Sequence, residues 1–164
     1  MKDTLGYFFD YADAEFDGGS YNGPSLMATL KRLSPEAAAD TATIEGYSAW
    51  SVALHLAWFK YFIARSLLGE AALEAYPFDY GEDGFGKPRE IGEGAWAEVL
   101  AYLARIHGVT AAAIRALEAP RYKEPMPEWK IPWGSAIAWY LGHDAYHAAQ
   151  IRNMGVKALA GSPS

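Results

Sequence analysis

The chain has no cysteine among its 164 residues. This absence excludes disulfide bonds, a catalytic thiol, iron–sulfur clusters and thiolate zinc sites. Any metal ion held by the chain would therefore have nitrogen and oxygen ligands only. The sequence also lacks a run of 18 apolar residues free of charge and glycine, which argues against a membrane-spanning helix and a membrane partner.

Basic charge is also scarce, since 14 Lys and Arg residues stand against 20 Asp and Glu residues and leave a net charge of −6. The cationic residues are scattered, whereas nucleic-acid binding needs a basic surface, so we predict no nucleic-acid partner. The opening segment, MKDTLGYFFDYADAEFD, carries acids where a signal peptide would have a basic end and an apolar run. We expect a soluble, cytoplasmic protein.

Apolar residues make up 51% of the chain and aromatic residues 15%, which is enough for one packed core. We therefore predict a single domain over residues 1–164. Apolar residues recur at helical spacing in four segments, at about 4–17, 47–68, 95–118 and 133–154. Ser34 and Pro35 indicate the start of a further short helix. Without β alternation, this pattern predicts an all-α four-helix bundle with long irregular loops.

Two histidines stand four residues apart in the segment GHDAYHAAQI, residues 142–151. On a helix, His143 and His147 lie one turn apart on the same face, which is otherwise apolar and directed inward. Two imidazoles in this arrangement can chelate one cation. Asp144 stands where a metalloprotease helix carries Glu, so the segment does not indicate a protease.

A third histidine, His55, lies on the apolar face of the second segment with Val52 and Phe59. A lone histidine on such a face is usually a neutral core residue with one hydrogen-bond partner. Three inward histidines on two helices are harder to explain in this way, because burying their nitrogens without partners is unfavourable. A shared divalent metal would satisfy all three, so we predict a metal site of His55, His143 and His147.

Four further residues are candidates for the surroundings of this site. Gln150 is in phase with His143 and is predicted to bond a ligand or a ring N–H, with helix packing as an equal alternative. Ser48 and Ser51 are predicted to line a pocket or to permit close helix packing. Tyr146 lies off the main face, where a solvated or inter-helix role is the alternative to a place beside the site.

Other polar and aromatic features have more ordinary interpretations. His107, on the inward face of the third segment, is predicted to be a core or partly exposed histidine, with an extra ligand or acid–base role as the alternative. The loop at 76–94 is interpreted as a surface linker, with a lid as the alternative. Four tryptophans are predicted to be core or interface residues rather than substrate contacts: Trp50, Trp58, Trp133 and Trp139.

The two histidine motifs together resemble the DinB / YfiT-like family of metal-dependent bundle proteins. That family has a histidine in a W-S-x-x-x-H-L helix, as in WSVALHL (50–56), and a later H-x-x-x-H-x-x-Q-I helix, as in HDAYHAAQI (143–151). The stretch LSPEAA (33–38) before the second long segment is also similar to the family. Ala149 stands where many members have Gly, a change that a helix tolerates.

The resemblance implies an up-up-down-down bundle, a divalent metal on the three matching histidines and a homodimer. Zinc and nickel suit imidazole ligands best, and iron and manganese are alternatives. Three imidazoles leave coordination positions open, as catalytic sites do. We therefore predict a metal-dependent transferase or hydrolase for a small molecule, with a low-molecular-weight thiol as a candidate co-substrate, since some relatives are thiol-dependent. The alternative is a non-catalytic metal-binding bundle with a structural or sensing role. A DNA-damage-related partner, suggested by the family's name, is disfavoured by the acidic charge.

Overall fold

The structure is a computed structural model that describes residues 4–159, and it contains six α-helices and no β-strand within that range. The α-helices are α1 (Thr4–Asp17), α2 (Leu26–Leu30), α3 (Pro35–Ala39), α4 (Ala49–Leu68), α5 (Glu93–Arg115) and α6 (Trp133–Asn153). Three short 3₁₀ helices lie between or after them, at Glu70–Ala72, Ala119–Lys123 and Lys157–Leu159. The predicted all-α bundle of four long helices is confirmed.

Local sequence signals fix where the helices begin and end. Ser34 caps α3 ahead of Pro35, as predicted, and its side chain accepts a hydrogen bond from the helix backbone. Ser48 caps α4 in the same way, since its hydroxyl accepts the Ser51 N–H at 3.0 Å. Gly69 ends α4 with φ of 94°, in the left-handed region that favours glycine. The serine and glycine positions therefore set the length of the helix that carries His55.

Helices α4 and α5 run in the same direction. Trp50, at the start of α4, lies 4.8 Å from Trp96, at the start of α5, measured between ring centroids. Further along both helices, the Thr110 hydroxyl donates to the Lys60 carbonyl at 2.9 Å. A 20-residue helix such as α4 is about 30 Å long, and segment 69–92 is long enough to return the chain over that distance.

Helices α1 and α6 run opposite to this pair. The His143 ring is 4.1 Å from Phe59, and His147, one turn later, is 4.9 Å from His55, one turn earlier. Phe9 of α1 lies 5.2 Å from the guanidinium of Arg115, at the end of α5. Phe16, two turns later on α1, stacks on His107, which is two turns earlier on α5. Helix α1 is therefore antiparallel to α5. The order of directions is therefore up-down-down-up. The implied up-up-down-down order is wrong, because the long connection after α4 restarts α5 at the same end of the bundle.

The core has two apolar clusters and a group of buried polar side chains. One cluster includes Trp50, Leu103 and Ile106, and the other includes Phe59 and Trp133. We call the following four buried residues the polar layer: Lys60, His107 and Asp144, together with Tyr140 of the second cluster. Two residues of this layer, Tyr140 and Asp144, therefore lie on α6, the same helix that carries His143 and His147.

Two helices have surfaces that the apolar pattern alone does not explain. Leu5 and Phe8 belong to the apolar residues that recur at helical spacing in α1, yet they are 40% and 52% exposed. The apolar face of α1 is therefore wider than the part of it that contacts neighbouring helices. Within the described residues, α5 is the one helix long and apolar enough, by length and composition, to cross a membrane. It packs along α4 with Leu103 and Ile106 in the core, as a bundle helix does.

Candidate metal centre

Three histidine nitrogens converge where α4 and α6 pack together. The Nε2 atom of His143 lies 3.4 Å from Nε2 of His55 and 3.0 Å from Nε2 of His147. All three candidate ligand atoms lie within 4.8 Å of one another. The rings meet at interplanar angles of 63° to 77°, so they do not stack. The antiparallel packing thus brings together the three histidines that the sequence singled out, and the cluster could hold a metal ion.

The outer nitrogens of two of these rings are bound to protein oxygens. His55 Nδ1–H donates to the Gly84 carbonyl at 3.0 Å, and His147 Nδ1–H donates to Gln150 Oε1 at 2.6 Å. In a neutral imidazole, a proton on Nδ1 leaves Nε2 as an unprotonated acceptor. Both Nε2 lone pairs therefore point into the cluster, which is the state that metal ligation requires.

The cluster cannot satisfy itself by hydrogen bonding. His143 can donate from Nε2 to at most one of the two facing lone pairs, so one acceptor of the cluster would remain unpaired. Its own Nδ1 is buried and has no hydrogen-bond partner among the described residues. A cation shared by the three Nε2 atoms would remove this deficit, and the residues present therefore fit a metal.

Burial keeps these imidazoles neutral. It lowers the pKa of His143 to about 2, with further contributions from the neighbouring His147, His55 and Lys60. Burial also lowers the pKa of His147 to about 4, against the opposing effect of its hydrogen bond to Gln150. The pKa of His55 is lowered by the same cause. Neutral rings are the form that coordinates a divalent cation, so the site has its ligating form at neutral pH.

Gln150 connects His147 to a carboxylate. Its Oε1 accepts from His147, and its Nε2 donates to Glu45, in the loop before α4. This bond orients the amide so that its oxygen faces the imidazole. Gln150 thus lies where the sequence placed it, beside a ring N–H. Glu45 was missed, because no helical spacing relates it to α6.

The family comparison agrees with this geometry. A model of the DinB superfamily matches residues 23–151, a range that includes all three clustered histidines. The chain belongs to the DinB superfamily. Comparison with curated proteins and with solved structures found no match. The chain is thus a DinB-superfamily member with a three-histidine cluster, and neither property specifies a metal or a reaction.

The remaining predicted neighbours lie around the cluster without contributing a ligand to it. Ser48 and Ser51 are buried, and their hydroxyls lie 2.9 Å apart at the start of α4. They line a neighbouring cavity of about 1180 Å³, and none of the clustered histidines is among the described residues of its wall. Tyr146 is 65% exposed, and its ring meets the edge of His147 at 4.9 Å.

The loop at 76–94 of this DinB-superfamily chain is more than a linker. Phe85 stacks on His55 with ring centroids 4.4 Å apart, next to the Gly84 carbonyl that binds His55. A Cβ at Gly86 would lie 1.9 Å from the Asp79 carbonyl oxygen, so this close crossing of the loop requires glycine. The interpretation as a surface linker is therefore incomplete, because the loop contacts a candidate ligand.

The fourth histidine belongs to the polar layer. Tyr140 donates from its hydroxyl to His107 Nδ1 at 3.4 Å, and His107 Nε2–H donates to Asp13 at 3.3 Å. Burial, together with the nearby Lys60 ammonium, lowers the pKa of His107 to about 4. His107 is a buried core residue outside the histidine cluster, in agreement with its first interpretation.

An apolar cavity opens beside the cluster in this DinB-superfamily chain. It has a volume of about 500 Å³, and His55 and His143 form part of its wall. We call it the aromatic pocket, because its other walls are Trp58, Phe59, Phe62, Gly84, Trp129, Ile131 and Trp139. Trp50 and Trp133 are core residues as predicted, whereas Trp58 and Trp139 line this pocket. Trp129 and Ile131 were missed because they lie in an irregular connection.

Proposed function

We propose that this DinB-superfamily chain is a metal-dependent enzyme for a small-molecule substrate, with one divalent cation held by His55, His143 and His147. The observation that carries the proposal is the pair of Nε2 lone pairs directed at a third imidazole. The hydrogen bonds to Gly84 and Gln150 set the tautomers of His55 and His147, so neither ring has a proton on Nε2 that could pair with a facing nitrogen. A cation bound to the three Nε2 atoms would accept these lone pairs.

Zinc and nickel are the favoured cations, with iron and manganese as alternatives. The cluster found among the described residues contains histidines and no carboxylate. A divalent cation held by neutral ligands keeps its double positive charge and favours hydroxide, thiolate or carboxylate as a further ligand. Bound there, it would lower the pKa of a water or thiol, or polarise a substrate oxygen.

The proposed reaction class is group transfer or hydrolysis, with a low-molecular-weight thiol as a candidate co-substrate. The chain has no cysteine, so a reacting thiol would have to come from a second molecule. His55 and His143 form part of the wall of the aromatic pocket, so a substrate could reach the cluster through that pocket. Phe85 covers His55 from another side and limits the water that reaches it.

A non-catalytic metal-binding bundle is the second candidate. The cluster joins α4 to α6, and the Gly84 carbonyl ties the loop to the same site. A metal there would stabilise the fold even without a reaction. The two candidates differ in one property, since an enzyme needs a coordination position that exchanges its ligand.

Metal analysis of purified protein tests the site. We expect about one divalent ion per chain in the wild type, as one cluster predicts, and its loss in His55→Ala and His143→Ala. His107→Gln is the matched control, because His107 is a buried histidine outside the cluster, and it should retain the ion. A protein that takes up no zinc, nickel or manganese would overturn the proposal.

Cobalt substitution then separates the two candidates. An exchangeable position predicts that the visible spectrum of the cobalt-loaded protein changes when a thiol such as 2-mercaptoethanol is added. The change should be absent in His143→Ala. A cobalt spectrum that no thiol or anion alters would favour the non-catalytic bundle.

We also propose that the chain forms a homodimer. Leu5, Tyr7 and Phe8 expose apolar surface on α1, which a second copy could cover. Light scattering after size exclusion should give twice the chain mass, and Phe8→Glu should shift it toward the monomer. A monomer at micromolar concentration would contradict this part of the proposal.

A further inference from the structure

The aromatic pocket is continuous with the candidate metal centre. Two of the three clustered histidines, His55 and His143, form part of its wall. None of the described residues that line it has a charged side chain, which contrasts with the neighbouring large cavity, where Asp79, Glu82 and Lys87 are present. A molecule bound to the cluster from this side would therefore have its remainder among apolar walls.

Aromatic rings surround the space closely. Phe59 contacts the His143 ring at 4.1 Å, and Trp129 lies 5.2 Å from Phe62 and 5.7 Å from Trp139. Trp139 is nevertheless 57% exposed. A large aromatic side chain left partly open beside buried ones is typical of a binding surface.

The connection that supplies Trp129 is held in an uncommon backbone conformation. Met126 N–H donates to the Ile131 carbonyl at 2.7 Å, and Lys130 N–H donates to the Met126 carbonyl at 3.0 Å. Lys130 has φ of 58°, the one positive value at a residue other than glycine within 4–159. Such a conformation persists where its surroundings impose it and is concentrated at binding and catalytic sites. Here it places Trp129 and Ile131 on either side of Lys130 in the pocket wall.

We propose that the aromatic pocket binds an uncharged aromatic or branched aliphatic group of the substrate while the substrate's polar end reaches the histidine cluster. This inference rests on the proposed function of that cluster. The volume of about 500 Å³ is that of pockets for small organic ligands. Aromatic walls can also attract cations, but a divalent metal at the adjoining histidines would repel a cationic group, so the occupant is neutral.

Two hydroxamates that differ by a phenyl group test the inference on zinc-loaded protein. Acetohydroxamate and benzohydroxamate present the same metal-binding end. Burying the phenyl group predicts that benzohydroxamate binds about 10-fold or more tightly than acetohydroxamate. Trp139→Ala and Trp129→Ala should each reduce this preference to within about threefold while zinc content stays unchanged. Tyr21→Ala, an exposed aromatic residue outside the pocket, is the control and should keep the preference.

A metal-free measurement distinguishes failure of the inference from failure of the proposed function. Calorimetry with p-cresol on the metal-free protein should detect binding that both tryptophan variants weaken several-fold. If zinc or both hydroxamates fail to bind but p-cresol binding depends on Trp129 and Trp139, the proposed function is wrong and the pocket stands. Equal hydroxamate affinities in the wild type, or p-cresol binding that neither variant weakens, would overturn the inference.

Discussion

The histidine cluster and the polar layer adjoin each other on α4 and α6, with His107 of α5 completing the layer, but they differ in how their polar atoms are satisfied. His143 and Asp144 are adjacent on α6, and Phe59 and Lys60 are adjacent on α4. In the polar layer, Lys60 donates to Asp144 at 2.8 Å, so donor meets acceptor. In the cluster, acceptor faces acceptor. Burial alone therefore does not reveal a binding site, whereas a mismatch of donors and acceptors does.

The polar layer has its own incomplete point, which is small by comparison. Asp144 Oδ1 is buried without a hydrogen-bond partner among the described residues. Its other oxygen, however, binds Lys60 and lies 3.7 Å from His107 Nδ1. One charge pair from within the chain thus satisfies most of the layer, whereas the histidine cluster has no such partner within residues 4–159.

The largest effect is expected from Lys60→Met. Lys60 is 0% exposed, so its loss leaves the Asp144 carboxylate buried and without its cation. Removing one partner of a buried pair costs about 3–5 kcal/mol of unfolding free energy. Urea denaturation measures it, and Lys60→Met with Asp144→Leu should recover most of the loss. A single variant within about 1 kcal/mol of the wild type would contradict the view that the layer is internally satisfied.

Bound zinc should raise the unfolding free energy of the protein by an amount similar to the loss expected for Lys60→Met. At a free concentration about 1,000 times the dissociation constant, a bound ion adds about 4 kcal/mol to the unfolding free energy. Thermal scans with and without a chelator should show the shift in the wild type. His143→Ala removes one ligand and should show none. An equal zinc-dependent shift in that variant would place the ion elsewhere.

Gln150→Leu should weaken metal binding without unfolding the protein. It removes the acceptor that holds the His147 Nδ1 proton, and loss of such a partner lowers metal affinity about 10- to 100-fold. Competition with a coloured chelator gives the affinity. Glu45→Gln removes the carboxylate that binds the Gln150 amide but leaves the His147–Gln150 bond in place, so it should have a smaller effect. Equal affinities in Gln150→Leu and the wild type would show that the tautomer does not depend on this bond.

The smallest of these effects is expected for Phe85→Ala. The Phe85–His55 stack is worth about 0.5–1.5 kcal/mol by analogy with other aromatic pairs. Its loss should increase the rate at which a chelator removes zinc by several-fold, measured by stopped flow. Tyr80→Ala is the control, because Tyr80 lies in the same loop as Phe85 but stacks on Trp58 of α4. This variant should leave the rate unchanged. A faster zinc loss in Tyr80→Ala than in Phe85→Ala would show that the Phe85 stack does not protect the metal.

Sequence reasoning predicted the parts of the fold that repeat along the chain. Helical spacing located α1 and α4, Ser34 and Pro35 located the start of α3, and inward faces brought His55 to two histidines far downstream. It could not predict that Lys60 would be buried, because a lysine normally marks a solvated face and its partner lies 84 residues away. Helix directions were also missed, since they depend on the path of segment 69–92.

Three residues of the site that sequence reasoning missed lie outside the regular helices. Glu45, Phe85 and Trp129 belong to connections, where no periodicity indicates which way a side chain faces. Their positions depend on backbone turns such as the one at Gly86, which are set by contacts between distant segments. A single sequence therefore predicts the ligands better than it predicts the walls around them.

The Gly84 carbonyl bound to His55 makes loop conformation and metal binding thermodynamically coupled. Any molecule that pulls the loop from His55 would weaken metal affinity by some factor, and bound metal would weaken that molecule's binding by the same factor. Metal loading should therefore also be visible as slower proteolysis within residues 79–86. The loop in this way acts as a reporter of whether the three histidines are filled.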